Sequence, residues 1–328
     1  MGWQPDQATL DLIRHLALQN SLQYSGKGQA GSVISRIMGS REDLRKFGKM
    51  IAPLVAKSVA DANSLADSAG LEAIEEILQK EAPELLEKKV RERREGLPEL
   101  PNSQGIKPVL RFAPNPNGPL SFGHSRGLVI NGEYAKNLGG ELILRFDDTD
   151  TTVKPPMIEA YESIPVQQEW LCGFPANRIV IASERMEHYH SYAKQILEKG
   201  FGYVCTCSGE EFKEFRISKT ECPCRGNSVE ANINLWEKMN DVNGFLPGEA
   251  VLRVKTDMTL KNPALRDWPA ARIQANPHPR VGTRWRVWPL LDFQSAIEDY
   301  LQGVTHIIRG KDLMDSTRKQ TLLYENLQ

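Results

Sequence analysis

An alternation of strand-like and helix-like segments between residues 107 and 199 constrains the fold more than any other feature of this sequence. Three short apolar runs, each typical of a buried strand, are KPVLRFA at 107–113, ELILRFD at 141–147 and NRIVIAS at 177–183. The segments that follow these runs are typical of helices near 123–137, 156–170 and 185–199. Strands that alternate with helices at this spacing predict an α/β fold with a doubly wound parallel sheet.

The alternation stops at Tyr203 and returns near residue 284. Residues 204–283 contain four of the five cysteines and much proline, and we expect them to form an inserted subdomain. RWRVWPLLDF at 284–293 and VTHIIRG at 304–310 then suggest strands, with helices that reach Leu301 and that begin at Asp312. We therefore assign the two halves of one sheet domain to residues 107–203 and 284–328, the second half being incomplete.

The first hundred residues have a different pattern. Apolar residues recur at helical spacing over 8–57, with glycines between short helices, and a second helical region lies near 70–95. The segment LPELPNSQGIKP that follows has the Pro, Gly and Asn content of a linker. We expect a helical N-terminal domain over 1–100 and a linker over 101–106.

Four cysteines form two close pairs, Cys205-x-Cys207 and Cys222-x-Cys224. The N-terminus has no secretory signal and no apolar run approaches the ~20 residues of a membrane helix, so we expect a cytoplasmic protein without disulfides. Two cysteine pairs in a reducing compartment suggest a tetrahedral Zn²⁺ site, although a gap of one residue is tighter than usual. Unliganded thiols are the alternative. We expect the fifth cysteine, Cys172, to be a small buried apolar residue.

The net charge of −1 conceals two basic blocks. Residues 14–57 carry eight Lys or Arg and two acids, and residues 251–288 carry eight and two. Segregated basic blocks can mark a surface that binds a polyanion, and they can equally be solvated helix faces.

Polar residues follow three of the strand-like runs. Arg111 precedes the loop PNPNGPLSFGHSR, whose glycines and prolines let the backbone approach a ligand and which opens a helix whose N-terminus favours a phosphate. A plain strand–turn–helix with a partly exposed His124 is the alternative. Asp147, Asp148 and Asp150 end the next run, where three carboxylates repel each other unless they cap a helix, bind a metal or bind an ammonium group. Arg309 ends the last run.

These residues carry a family resemblance. Ser121-Phe122-Gly123-His124 resembles the HIGH signature of class I aminoacyl-tRNA synthetases. Together with RFAPNPNGPL, LILRFDDTD and GVTHIIRGKD, it makes the chain similar to archaeal-type glutamyl-tRNA synthetases over essentially its whole length. The N-terminal strings GKGQAGSVISRIMG and PLVAKSVADANSL are similar to the helical appendage of that family.

The resemblance implies a two-step reaction that uses Mg²⁺ and ATP. The carboxylate of L-glutamate attacks the α-phosphate of ATP, and the glutamyl group then passes to the 2′-OH of the terminal adenosine of tRNA(Glu). His124, Ser121 and Gly123 are implied as catalytic residues. The implied ATP-binding residues are Ala113, Pro114, Asn115, Pro116, Asn117, Gly118, Pro119, Leu120, Ser121, Phe122, Gly123, His124 and Arg126.

The resemblance also implies a glutamate pocket. Asp147 would accept the α-ammonium group, and Arg111 and Arg309 would bind the γ-carboxylate. Glutaminyl enzymes carry a small uncharged residue in place of Arg309, so glutamate is favoured over glutamine as the substrate. An Arg309 paired only with Asp312 or Asp315 is the structural alternative. Leu291 would line the pocket where the family usually has Tyr.

The insertion would be the subdomain that binds the tRNA acceptor stem, with a structural Zn²⁺ held by its four cysteines. The implied phosphate contacts are Arg253, Lys255, Arg272, Arg280, Arg284 and Arg286. Ser121 replaces the first His of HIGH, a modest change because its hydroxyl can still donate. The family continues beyond Gln328 through a KMSKS-type loop and an anticodon-binding domain. We therefore expect a truncated enzyme, an enzyme whose C-terminal half a second chain supplies, or a non-catalytic tRNA-binding paralogue.

Overall fold

A computed structural model describes residues 3–87 and 96–327 of the protein, in two compact units, Met1–Glu95 and Gly96–Gln328. The first unit is helical and consists of α1 (Gln7–Gln23), α2 (Ala30–Ser40), α3 (Gly48–Glu81) and two short 3₁₀ turns. Gly70 interrupts α3, because its backbone φ of +83° is not helical. Few residues other than glycine adopt that backbone conformation. Of the helical region predicted near 70–95, residues 88–95 lie outside the described residues.

The core of the first unit lies where α1 packs along α3. Ile13 and Leu16 of α1 are buried against Ile51, Val55 and Val59 of α3, all at helical spacing on one face. The apolar periodicity of the sequence therefore corresponds to a real buried face.

The second unit begins with the predicted parallel sheet, which the structure confirms. Its strands have the order β1–β2–β3 and pair in parallel, so that Leu110 lies opposite Leu142. The strands and the helices that follow them are β1 (Val109–Phe112), α4 (Phe122–Asn137), β2 (Glu141–Phe146), α5 (Ile158–Cys172), β3 (Arg178–Ile181) and α6 (Met186–Glu198). Cys172 is buried, as expected, against Gly132 of α4, where any Cβ would lie 2.7 Å from its sulfur.

A four-stranded antiparallel sheet follows, in the order β4–β5–β6–β7. Its strands are β4 (Gly202–Cys205), β5 (Val251–Val254), β6 (Pro269–Ile273) and β7 (Val287–Pro289), with helices α7 (Gly209–Ser218) and α8 (Val229–Asn240) between the first two. The strand predicted within 284–293 is β7, and it does not return to the parallel sheet. It pairs with β6, and Trp288 is fully buried in a core that the antiparallel sheet shares with α6 and α9, so this part of the assignment was wrong.

Residues 304–310 were predicted as a strand, and the structure shows none there. The segment lies beside β1, because the backbone N–H of Thr305 donates to the carbonyl of Val109. The N–H of Val109, however, donates to the side-chain oxygen of Thr305, so a backbone ladder does not continue. The last helices are α9 (Leu291–Leu301) and α10 (Met314–Leu327). Across the described residues, no helix has the length and apolar character needed to span a membrane.

Candidate active site

A cavity of about 1370 Å³ lies at the carboxyl ends of β1 and β2, where open parallel sheets bind ligands. Arg111 and residues 112–115 form one wall, the first turns of α4 form a second, and Asp147 lies between them. Residues at the start of α9, the segment 308–313 and the inner face of α10 complete the lining. The polar residues that follow two strands and the segment 304–310 thus meet at one cavity, as Arg111, Asp147 and Arg309 show.

His124 and Ser121 form the N-terminus of α4. The backbone N–H of Ser121 donates to Nδ1 of His124 at 3.0 Å. A neutral imidazole that accepts at Nδ1 carries its proton on Nε2, so His124 is left with one donor in the cavity lining. The free N–H groups of the helix start add a second preference for an anion.

The predicted nucleotide residues divide into two groups. Ala113, Pro114, Asn115, Asn117, Gly123, His124 and Arg126 line the cavity. Pro116, Gly118, Pro119, Leu120, Ser121 and Phe122 are not part of its lining, and Phe122 is 96% exposed. Ser121 therefore acts as a helix cap that orients His124.

Two arginines and two acids form a buried network beneath the cavity. Arg145 is 1% exposed and donates to Asp147 and Asp299 at 2.7 Å each, and Arg111 donates to Asp299 at 3.0 Å. Burial by itself would lower the pKa of Arg145, but the two carboxylates outweigh it and raise that pKa. Burial raises the pKa of Asp299, and the two guanidinium groups more than reverse this, so the carboxyl stays ionised.

Arg309 also reaches this network but is differently bound. Its Nη2 donates to Oε1 of Gln320 at 2.7 Å and stays 4.0 Å from Asp299. Burial lowers the pKa of Arg309, and the nearby Arg111 lowers it further. No ion pair with Asp312 or Asp315 is present among the residues that the structure describes, so the structural alternative for Arg309 was wrong.

Asp147 retains the capacity to accept one more hydrogen bond. Its Oδ1 accepts from Arg145 and from Gln294 at 2.8 Å, and its Oδ2 accepts from Arg145 at 3.3 Å. A carboxylate offers about four lone-pair sites, and three are used. Since Asp147 lines the cavity, the fourth site is available to a ligand donor.

Asp148 and Asp150 have other partners, and neither caps a helix. Asp148 is fully buried and accepts from the backbone and hydroxyl of Ser183, at 2.8 and 2.7 Å, and from Tyr161. His278 of the insertion lies against the backbone carbonyl of Asp148 at 2.9 Å. Asp150 accepts from two backbone N–H groups of the turn that follows it and lines the cavity. These contacts fix the loop that carries Asp147.

Leu291 is the first residue of α9, is 47% exposed and lines the cavity. Beside it, Asp292 accepts a hydrogen bond from Lys319 of α10 at 2.6 Å. The pocket wall at this point is therefore a half-exposed apolar side chain next to a neutralised carboxylate.

The four paired cysteines converge at the end of β4. Their sulfur atoms lie within 4.8 Å of one another, with 3.9 Å between Cys205 and Cys222 and 3.7 Å between Cys207 and Cys224. Tetrahedral coordination with metal–sulfur bonds of about 2.3 Å requires sulfur atoms about 3.8 Å apart. The backbone N–H of Thr206 points at the sulfur of Cys224, at 3.4 Å, as suits a thiolate. The arrangement fits a metal held by four sulfurs.

The six arginines and lysines predicted to contact phosphates are not equivalent. Arg253 is buried, stacks on Phe212 and donates to the carbonyl of Asp267, so it cannot reach a phosphate at the surface and that prediction was wrong. Arg286 donates to two backbone carbonyls, and Arg272 lies 3.4 Å from Asp150. Lys255 is half-buried, and its burial lowers its pKa. Arg280 and Arg284 are exposed, with Glu184 and Glu187 as their partners.

Sequence reasoning did not identify Arg145, Gln294, Asp299 and Gln320. One signal was present, because Asp292, Ser295 and Asp299 are spaced by three and four residues and so share one face of α9, a helix that also contains Gln294 and Glu298. Gln320 had no such signal, since a glutamine in a polar helix is unremarkable until its burial is known.

The parallel sheet, the Ser-Phe-Gly-His helix start and the arginine–aspartate pocket together define the catalytic domain of a class I tRNA synthetase. The model of the family "tRNA synthetases class I (E and Q), catalytic domain" matches residues 107–328, and the chain belongs to this family.

Two curated relatives agree with this membership. The chain is 47% identical over 320 residues to a glutamate–tRNA ligase of Methanothrix thermoacetophila, covering 97% of this chain and 55% of that protein. It is 46% identical over 316 residues to the enzyme of Archaeoglobus fulgidus, covering 96% and 56%. The chain thus spans about half the length of the curated relatives it matches. A solved glutamate–tRNA ligase of Elizabethkingia meningosepticum is 23% identical, with a TM-score of 0.49, over 68% of this chain and 47% of that one.

Proposed function

We propose that this chain carries the catalytic centre of a glutamate–tRNA ligase. In the first step, the α-carboxylate of L-glutamate attacks the α-phosphate of ATP, the bond to the β-phosphate breaks, and diphosphate leaves. In the second, the 2′-OH of the terminal adenosine of tRNA(Glu) attacks the acyl carbon, and AMP leaves. The names of the curated relatives support the substrate, and Arg309, which lines the cavity and whose hydrogen-bond partner is the neutral amide of Gln320, carries the proposal.

Nucleotide binding falls to the wall formed by residues 113–117 and the start of α4. The Nε2–H of His124 would donate to a phosphoryl oxygen, and the helix N-terminus would stabilise the charge that develops there. Mg²⁺ would neutralise the phosphates of the bound ATP. The protein mainly positions the reactants and stabilises charge, since the reaction needs no covalent intermediate with a side chain.

Recognition of the amino acid falls to the opposite wall. Asp147 would use its remaining lone pair for the α-ammonium group. Arg111 is charge-balanced by Asp299, whereas Arg309 is bound through a neutral amide, so the pocket favours a γ-carboxylate over a carboxamide. Leu291 would close the pocket from the side of α9.

The insertion would hold a structural Zn²⁺ and contact tRNA. Cys205, Cys207, Cys222 and Cys224 suit the metal, which would tie the end of β4 to the loop before α8. Arg280 and Arg284 are exposed and are the better candidates for phosphate contacts, whereas Lys255 is half-buried and Arg272 lines the cavity. A cytoplasmic location would keep these thiols reduced.

The test is aminoacylation by the 328-residue chain with labelled glutamate and labelled glutamine in parallel. Glutamate transfer to tRNA is the expected result. Transfer of glutamine instead would show that Arg309 does not select the carboxylate. A folded, zinc-loaded chain that transfers neither would refute the proposal for this chain alone, and adding the C-terminal half of a relative as a second polypeptide would then test whether activity requires that half.

A further inference from the structure

Gln320 of α10 holds the guanidinium group of Arg309. Its side chain is 2% exposed and lines the same cavity. Oε1 of Gln320 accepts from Nη2 of Arg309 at 2.7 Å. This bond fixes the orientation of the amide, because only its oxygen can accept from a guanidinium group. Its Nε2 is therefore the free end, and that atom has no hydrogen-bond partner among residues 3–87 and 96–327.

A neutral acceptor orients Arg309 without cancelling its charge. Arg111 and Arg145 donate directly to Asp299, and Arg145 also donates to Asp147. For Arg309 the separation from Asp299 is 4.0 Å, too long for a hydrogen bond. Three guanidinium groups thus face two carboxylates in this network, which leaves one positive charge for a ligand. Asp292 does not alter the balance, since Lys319 neutralises it.

Two buried hydrogen-bond donors in this corner of the cavity also require an acceptor. Nε of Arg309 and Nε2 of Gln320 both have no partner in the described parts of the chain. Buried polar groups are nearly always hydrogen-bonded in the working state of a protein. A side-chain carboxylate offers an acceptor on each oxygen, whereas a carboxamide offers one acceptor and turns its own N–H groups toward the second donor.

We infer that Gln320 is a specificity-determining residue, which positions Arg309 and donates a second hydrogen bond to the γ-carboxylate of the amino-acid substrate. The inference rests on the proposed function for the identity of that substrate. In this pocket an arginine–glutamine pair recognises the carboxylate, and the pocket keeps a net positive charge because Gln320 is neutral.

The test is calorimetric titration of L-glutamate and of L-glutamine into the full chain. Gln320→Glu keeps the shape of the side chain but cancels the excess charge, and Gln320→Met keeps its length but removes the amide. Thr321→Glu is the matched control, because it adds the same charge one residue along on the exposed face of α10. We expect Gln320→Glu and Gln320→Met to weaken glutamate binding about 10- to 100-fold, to narrow the preference for glutamate over glutamine, and to leave ATP affinity unchanged.

Wild-type glutamate affinity in Gln320→Glu would overturn the inference, as would an equal loss in Thr321→Glu. If both Gln320 variants fail to fold, the γ-methyl ester of glutamate titrated into the wild-type chain decides. At least 10-fold weaker binding of the ester supports a pocket built for a carboxylate, and equal binding overturns it. A chain that charges no tRNA but still shows this dependence on Gln320 would refute the proposed function and leave the inference standing.

Discussion

Replacing Asp299 by asparagine is expected to lower the free energy of unfolding of the 96–328 unit by about 3–5 kcal/mol. Asp299 is 2% exposed and joins the two arginines beneath the cavity, at 3.0 Å from Arg111 and 2.7 Å from Arg145. Removing one partner from a buried ion pair leaves the other charge uncompensated, which costs far more than the pair itself contributes.

The geometry favours the lower end of that range. The two arginines approach Oδ1 of Asp299 most closely, and an amide oxygen at that position would still accept from them. The amide nitrogen would take the place of Oδ2, where Arg111 donates at 3.5 Å and Arg309 lies at 4.0 Å, so donors would face donors. Arg145 would keep Asp147 as its partner, but Arg111 would not gain one. We expect about 3 kcal/mol, or roughly 6–12 °C in Tm for a unit of this size.

The loss of unfolding free energy in Asp299→Asn should depend on pH in a defined direction. Because the folded state holds the pKa of Asp299 below its unfolded value of about 3.9, its contribution is complete above that pH and is lost as the pH falls through the folded-state pKa. The Asp299→Asn variant has no such group. The difference in unfolding free energy should therefore be full at pH 7 and should shrink below about pH 4.

Urea unfolding followed by tryptophan fluorescence is the assay, since five of the six tryptophans lie beyond residue 96. Glu162→Gln, at an exposed position on α5, is the control for the loss of a carboxylate. A difference below about 1 kcal/mol at pH 7, or one that does not shrink in acid, would refute the argument that Asp299 balances buried charge.

Three further predictions concern other parts of the chain. His124→Ala should slow glutamyl-adenylate formation about 10²- to 10³-fold while leaving calorimetric glutamate binding intact, because one donor to the reacting phosphate is lost; an unchanged rate would contradict this. Cys222→Ser should abolish stoichiometric zinc, measured by elemental analysis, whereas Cys172→Ser should retain it. Arg284→Glu should weaken tRNA binding and reduce its salt dependence by about one counterion; an unaltered slope would remove Arg284 from the interface.

Local patterns predicted the parallel sheet and failed where pairing depends on distant residues. The three strands β1 to β3 and their helices follow from periodicity that each segment carries by itself. The strand prediction for 304–310 failed because the hydroxyl oxygen of Thr305 accepts the hydrogen bond from the N–H of Val109 that a backbone ladder would need. The assignment of 284–293 failed because an apolar strand of three residues does not specify which sheet it joins.

For the candidate site, the sequence predicted which residue types line the cavity. It did not predict which partners balance their charges. Arg111, His124, Asp147 and Arg309 line the cavity as the sequence indicated. The sequence could not show that Arg253, equally basic, lies under a phenyl ring, nor that the hydrogen-bond partner of Arg309 is a neutral glutamine eleven residues further along the chain. Such distinctions depend on burial and on partners from other elements.

The three aspartates after β2 differ in how the protein balances the charge of each, and this difference decides which of them can bind a ligand. All three were candidates for a metal, an ammonium group or a helix cap, because like charges so close must each be balanced. Asp148 is balanced by hydroxyl and amide donors inside the fold, and Asp150 by the turn it closes and by Arg272 at 3.4 Å. Only Asp147 combines a place in the cavity wall, a buried guanidinium partner and one unused lone pair. In the proposed function the ammonium group of the amino acid would therefore bind Asp147, and the contact between His278 and the backbone carbonyl of Asp148 holds the loop that carries this carboxylate.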